Sequence, residues 1–133
     1  MLKAVAARSA RGHVLLIDSI TQLSADDAGA IVVCGSHGGV SSAHFALAWP
    51  LWLVVFNDAG VGKDGAGIAA LALLQQRGVA AASVRHDSAR IGDALDAWQA
   101  GVLSHLNAAA RQLGLAEGEG VAAAVRRLLS DPN

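Results

Sequence analysis

The sequence predicts a single three-layer α/β domain over residues 1–133, with a mostly parallel sheet of four to five strands and helices on both faces. Three observations carry that prediction. Four short, almost unbroken apolar runs, ending at Ile17, Cys34, Phe56 and Val84, read as strands buried on both faces. Helical spacing or turn residues fill the gaps between them, the alternation that builds parallel sheets through crossover connections. The composition agrees: 53% of residues are hydrophobic and 16% charged, enough apolar surface to cover both sides of a sheet or to supply a subunit interface.

Residues 1–12 read as an edge strand or a loose arm. His13-Val14-Leu15-Leu16-Ile17 is the first buried strand, closed by Asp18-Ser19. Residues 24–29, with Asp26, Asp27 and Gly29, make a turn or one helical turn. Residues 30–34 form the second strand, and Gly35-Ser36-His37-Gly38-Gly39 closes it. Ser41 or Ser42 would cap a short helix through Ala48 that Pro50 terminates. Residues 51–56 are the third strand.

Ile68, Leu71, Ala72 and Leu74 recur at helical spacing over 68–77, and Gly78 is the natural stop. Residues 79–84 are the fourth strand. Asp87 or Ser88 would then cap a long stripe of Ile91, Leu95, Trp98, Val102, Leu106, Ala109 and Leu113, which Gly101 would split into two helices. Gly114 ends that pattern, 117–120 is a loop, and 121–129 is a last amphipathic helix.

Several function classes drop out. The net charge is −1 and like charges do not cluster, so nucleic-acid binding has no support; Arg126-Arg127 fits a solvated helix face. The longest apolar stretch, 43–56, holds His44 and Pro50 and is too short to cross a bilayer. Lys3, Arg8 and Arg11 precede no apolar signal core, so secretion is not expected. Cys34 is the single cysteine, and no CxxC or paired-histidine motif points to a metal. A cytoplasmic protein is expected, with no membrane partner, and the apolar excess suggests a homo-oligomer. Nothing in the sequence names a cofactor.

In a parallel sheet, the polar segments that follow the strands gather at one edge. Here they are Asp18-Ser19, Ser36-His37-Gly38-Gly39, Asn57-Asp58 with Lys63-Asp64, and His86-Asp87-Ser88 with Arg90. The segment 57–67 combines four glycines with both signs of charge, so its backbone can turn tightly and approach a ligand. It is not a phosphate loop. Asn57 stands where that motif needs its first glycine, and Asp64 where it needs Ser or Thr.

The expected function is binding or turnover of a small anionic metabolite at this edge. Lys63, Arg90 and the N–H groups around Gly60 and Gly62 would hold the anion, and His37 with Asp58 would supply acid–base chemistry. Gly38, Gly39, Asn57, Asp64, His86 and Ser88 complete the expected ligand wall. An alternative is serine-type hydrolysis through Ser36, loosely placed as in a nucleophile elbow, with Cys34 where that motif has a glycine. His37 or His86 would then be the base and Asp58 or Asp87 its orienter. A second alternative is a non-catalytic oligomeric or partner-binding domain. His13, His44 and His105 lack polar neighbours and read as structural, and Trp49, Trp52 and Trp98 as core or interface.

Val32-Val33-Cys34-Gly35-Ser36-His37-Gly38-Gly39 resembles the strand and His-Gly turn of caspase-like domains of the bacterial CHAT type. Leu53-Val54-Val55-Phe56-Asn57-Asp58-Ala59-Gly60, followed by Gly67 and a helix to Gly78-Val79, resembles their second catalytic strand, loop and helix. The resemblance covers about residues 30–85 and implies their sheet layout. His37 matches the family's histidine, whereas Ala59 falls at its cysteine, so no cysteine-protease activity is implied. The whole chain also resembles a small bacterial family of α/β proteins with the same Ser-His-Gly-Gly, Asn-Asp-Ala-Gly-Val-Gly-Lys-Asp and His-Asp-Ser-Ala-Arg-Ile-Gly-Asp blocks, which implies no particular reaction.

Overall fold

The structure, a computed structural model, describes residues 1–130. One sheet holds six strands in the order in which they occur in the chain. They are β1 (Lys3–Ser9), β2 (Gly12–Ile17), β3 (Ile31–His37), β4 (Leu53–Asn57), β5 (Ala80–Val84) and β6 (Leu103–Leu106). The α/β class and the central parallel block are as expected. The strand count is not: the sheet is mixed, because β1 joins β2 and β6 joins β5 antiparallel, while β2 through β5 run parallel.

Among the described residues five α-helices accompany the strands: α1 (Val40–Ala46), α2 (Ala69–Gln76), α3 (Ala94–Ala100), α4 (Ala108–Gln112) and α5 (Val121–Leu129). The β2–β3–β4–β5 crossovers all step in one direction, and right-handed crossovers of that kind must leave their connections on one face. Accordingly Ala43 and Ala46 of α1 and Ala70, Leu71 and Leu74 of α2 share a core with Ile17, Val32, Val54 and Phe56. On the opposite face Ala97 and Trp98 of α3 and Val125 and Leu128 of α5 cover Val14, Val33, Val55 and Ala82. Coverage of both faces accounts for the uninterrupted apolar strands. Cys34 lies fully buried in β3, and burial pushes its thiol up to about 12. Among the described residues no helix is long and apolar enough to cross a membrane.

Three local expectations are corrected. The stripe from Ile91 to Leu113 does break at Gly101, the C-cap of α3, but the two helices α3 and α4 are separated by a strand, β6, over residues 103–106. The cap of α3 is Asp93, whose side chain accepts from Asp96 N–H, rather than Asp87 or Ser88. Gly39 precedes α1 in the cap position, and Ser42 is buried inside the helix. Residues 1–12 contribute β1, the edge-strand option.

The loop from β5 to α3 doubles back over the carboxyl edge of the sheet. Asn57 Nδ2 donates to the Ala89 carbonyl at 3.0 Å, and Gly92 N–H donates to the Gly35 carbonyl at 2.7 Å. Gly35 must be glycine, since a Cβ there would stand 2.5 Å from the Gly92–Asp93 backbone. Asp18 ties the end of this loop down, accepting from Leu2 N–H at 2.7 Å and Ala94 N–H at 3.0 Å. Those two hydrogen bonds hold its carboxyl below the usual range.

Candidate functional site

Asp58 follows directly on β4, and its backbone N–H continues the ladder by donating to the Val84 carbonyl at 2.8 Å. Its side chain is buried beneath the β4–α2 loop. Oδ1 accepts from Gly60 N–H at 2.8 Å and from His86 N–H at 3.0 Å. Two imidazoles flank the carboxylate: His86 Nδ1 is 3.5 Å from Oδ1 and His105 Nδ1 is 3.8 Å from Oδ2. Burial pushes the Asp58 carboxyl up, but the Gly60 N–H, the Ser104 hydroxyl, the His86 N–H and the His105 ring together outweigh it, so the net shift is downward.

These groups line an open cleft of about 580 Å³, bounded by the ends of β4 and β5, the start of β6 and the 117–118 loop. Asp58 forms its floor, and His86 stands exposed at its side. The polarity change from β5 to β6 creates the cleft: the start of antiparallel β6 lies beside the end of β5, and Ser83 pairs with His105. An irregularity after Ser83 brings Ser104 Oγ within 3.2 Å of Ser83 Oγ and 3.0 Å of His105 Nδ1. This is not a Ser–His–Asp triad. Serine and aspartate both face Nδ1 of His105, whereas a triad needs them on opposite ring nitrogens.

No known protein family, curated protein or solved structure matches this chain. The site therefore rests on its own geometry.

The expected site residues divide into three groups. Asp58, Gly60 and His86 meet in the cleft. His37 lies across the loop in a separate hollow with Ala59, Gly62 and Gly67; Val61 lines both hollows and stands as the wall between them. His37 Nδ1 accepts from Gly39 N–H at 3.0 Å, and Asp58 faces His86 and His105 instead. Gly38 is structural in its contacts, donating to the Gly67 carbonyl at 3.0 Å and accepting from Ala70 N–H at 2.8 Å.

Ser36 Oγ accepts from Ile20 N–H at 2.9 Å, and among the described residues no histidine bonds to it. Ser88 Oγ donates to the Arg85 carbonyl and accepts from Val102 N–H, so it pins the β5 exit. Arg90 lies outside the cleft, in a shallow hollow beside Asp96, while Lys63 and Asp64 are exposed on the loop. Asn57 Oδ1 accepts from Ala59 N–H.

The loop is also less open to an anion than its glycines suggest. The N–H groups of residues 59, 60, 61, 62, 65 and 67 all donate within residues 57–67. In return the backbone is held in rare conformations: Ala59, Gly60, Val61 and Gly62 have φ of 52°, 77°, 68° and 74°. For β-branched Val61 that is strained, at a cost of about 1–3 kcal/mol. Val61→Gly is therefore expected to raise stability by about 1 kcal/mol in urea unfolding, the reverse of the usual valine-to-glycine effect. A loss of 1 kcal/mol or more would mean that the loop carries no such strain.

His105 and Ser104 are the residues that sequence reasoning missed. The signal was the five-residue run 102–106 between Gly101 and Asn107, whose Oδ1 caps α4 by accepting from Ala110 N–H. Among the described residues no group of three or more His, Cys, Asp or Glu side chains is arranged to hold a metal ion.

Proposed function

We propose that the cleft at the β5–β6 edge binds a small polar metabolite and that His86, oriented by Asp58, exchanges a proton with it. The observation that carries the reading is the buried Asp58 carboxylate 3.5 Å from His86 Nδ1, in a cleft large enough for a metabolite. A carboxylate on that side favours the proton on Nδ1 and leaves the Nε2 lone pair for a hydroxyl, amine or water in the cleft. As His86 takes the proton, Asp58 stabilises the imidazolium and keeps the ring oriented. An anionic group on the metabolite would meet Arg85 at the rim, where Nε pairs with Asp87 at 3.0 Å, rather than Lys63 or Arg90.

Imidazole 15N spectra test this reading without a known substrate. His86 is expected as the Nδ1–H tautomer in the wild type, with a clear move toward Nε2–H in Asp58→Asn. An Nε2–H tautomer in the wild type would remove the base from the proposal. Once a substrate is found, His86→Ala should lower kcat/KM by about 10²–10⁴-fold.

A further inference from the structure

We infer that the substrate is two-part: a hydroxyl-bearing head at Asp58 and His86, and an apolar alkyl or aryl tail lying between α2 and α4. This rests on the reading of the cleft given above. A second hollow of about 390 Å³ opens between those helices, within the size range of ligand sites. His105 and Glu117 line both hollows, so the polar one and the second adjoin at these two side chains.

The second hollow differs in chemistry. Its walls are Ile68, Leu71 and Ala72 on one side and Leu106 and Ala108 on the other. Gln75 Oε1 is taken by Ala109 N–H at 2.8 Å, and Asn107, between the two walls, has no capacity left for a ligand. Its amide nitrogen donates to the Leu71 and Val79 carbonyls, and its oxygen accepts from Ala81 and Ala110 N–H. Arg111 and Glu117 pair at 2.9 Å and neutralise each other. A tail there would find apolar walls and a closed ion pair, so affinity would come from burying carbon. The head has the opposite requirement. It must carry an exchangeable proton facing His86, and Asp58 beneath disfavours a carboxylate in that position.

The probe is a series of primary n-alkanols from propanol to octanol, titrated into the intact 133-residue chain. Two sets of signals are followed: the imidazole nitrogens of His86 and His105, and the methyl groups of Ile68, Leu71 and Leu106. Affinity should rise about fourfold per methylene until the hollow is full, following about 0.8 kcal/mol for each buried CH₂. Both sets of signals should shift together. Ala72→Arg, at an exposed helix position, should flatten the length dependence while propanol still moves the imidazoles. Imidazole shifts with affinity independent of chain length would overturn the two-part substrate and leave the acid–base reading standing. Length-dependent methyl shifts with still imidazoles would overturn both, since the tail site would not adjoin a working head site. Absence of any shift through octanol would also overturn both.

Discussion

Gly67→Ala is expected to destabilise the protein by about 3 kcal/mol or more, read as a lower midpoint in urea unfolding with an unchanged slope. A Cβ on Gly67 would fall well inside van der Waals contact of the Asp58 carbonyl oxygen and 2.9 Å from that of Val61. Neither oxygen can retreat freely. Gly67 N–H donates to Val61 O at 2.6 Å, and Val61 N–H donates to Asp58 O at 2.7 Å, so the atoms a methyl group would push are tied to each other. Gly65 supplies the contrast. It also lies in the loop, in the left-handed region with φ of 71° and ψ of 23°, but a Cβ there would meet only Ile68 Cγ1, at 4.0 Å. Gly65→Ala should cost only about 1 kcal/mol, the conformational penalty of a left-handed residue. Equal losses at the two positions would show that crowding at Gly67 is not what fixes the loop.

Acid should remove a defined part of the stability, and Asp58 should account for much of it. Its folded carboxyl titrates below the ordinary value of 3.8. A group depressed in this way contributes stability that is fully present above the unfolded pKa and lost as pH falls through the folded one. The same sign holds for Asp18, through the Leu2 and Ala94 N–H groups. It holds for Asp27 too, where burial opposes the shift but the Lys3 ammonium and the Ser24 donors outweigh it. Stability carried by these groups is thus expected to be level from about pH 7 to 5 and to fall below about pH 4.

Asp58→Asn should cost about 2 kcal/mol at pH 7, because a charged acceptor of backbone N–H groups is replaced by a neutral one. Below the folded pKa the wild-type side chain is itself neutral and nearly the same shape. The gap between the two proteins should therefore close as pH falls through the folded pKa of Asp58. A gap that persists unchanged in acid would mean that shape, not charge, makes Asp58 important.

The core strands were legible because their physics is local. Residues 13–17, 30–34, 51–56 and 79–84 are apolar apart from His13 and Ser83, and only a strand covered on both faces needs that. The end of α2 was legible for the same reason: Gly78, at φ 71°, takes the left-handed turn that stops the helix. β6 was not, because Val102 and Leu106 fit both the helical period and the ends of a short strand. The deciding contact, Ser83 with His105, is made across the sheet and leaves no trace in the local pattern.

The candidate site was legible to the same depth. Asp58 and His86 follow strand ends and could be placed at the carboxyl edge from sequence alone. Which histidine meets Asp58 depends on the loop at 59–62 coming between His37 and the carboxylate, and on β6 returning beside β5. Neither follows from composition or spacing. The glycines of the loop invited an anion-binding reading, whereas their N–H groups are mostly taken up inside the loop itself.

The sequential order of the strands has a consequence for how the chain acquires its shape. Each strand from β2 onward pairs with the one made just before it, so no ladder has to wait for a strand still to be made, although each parallel pair must close a crossover of a dozen residues or more. The helical layers do not share that simplicity. The face of β2 that carries Val14 and Leu16 is covered by α3 and α5, and α5 ends at Leu129. On a ribosome the sheet can therefore assemble in the order of synthesis, while β2 keeps one apolar face exposed until α5 has emerged. The vulnerable interval in the life of this molecule comes after its strands have paired and before α5 arrives.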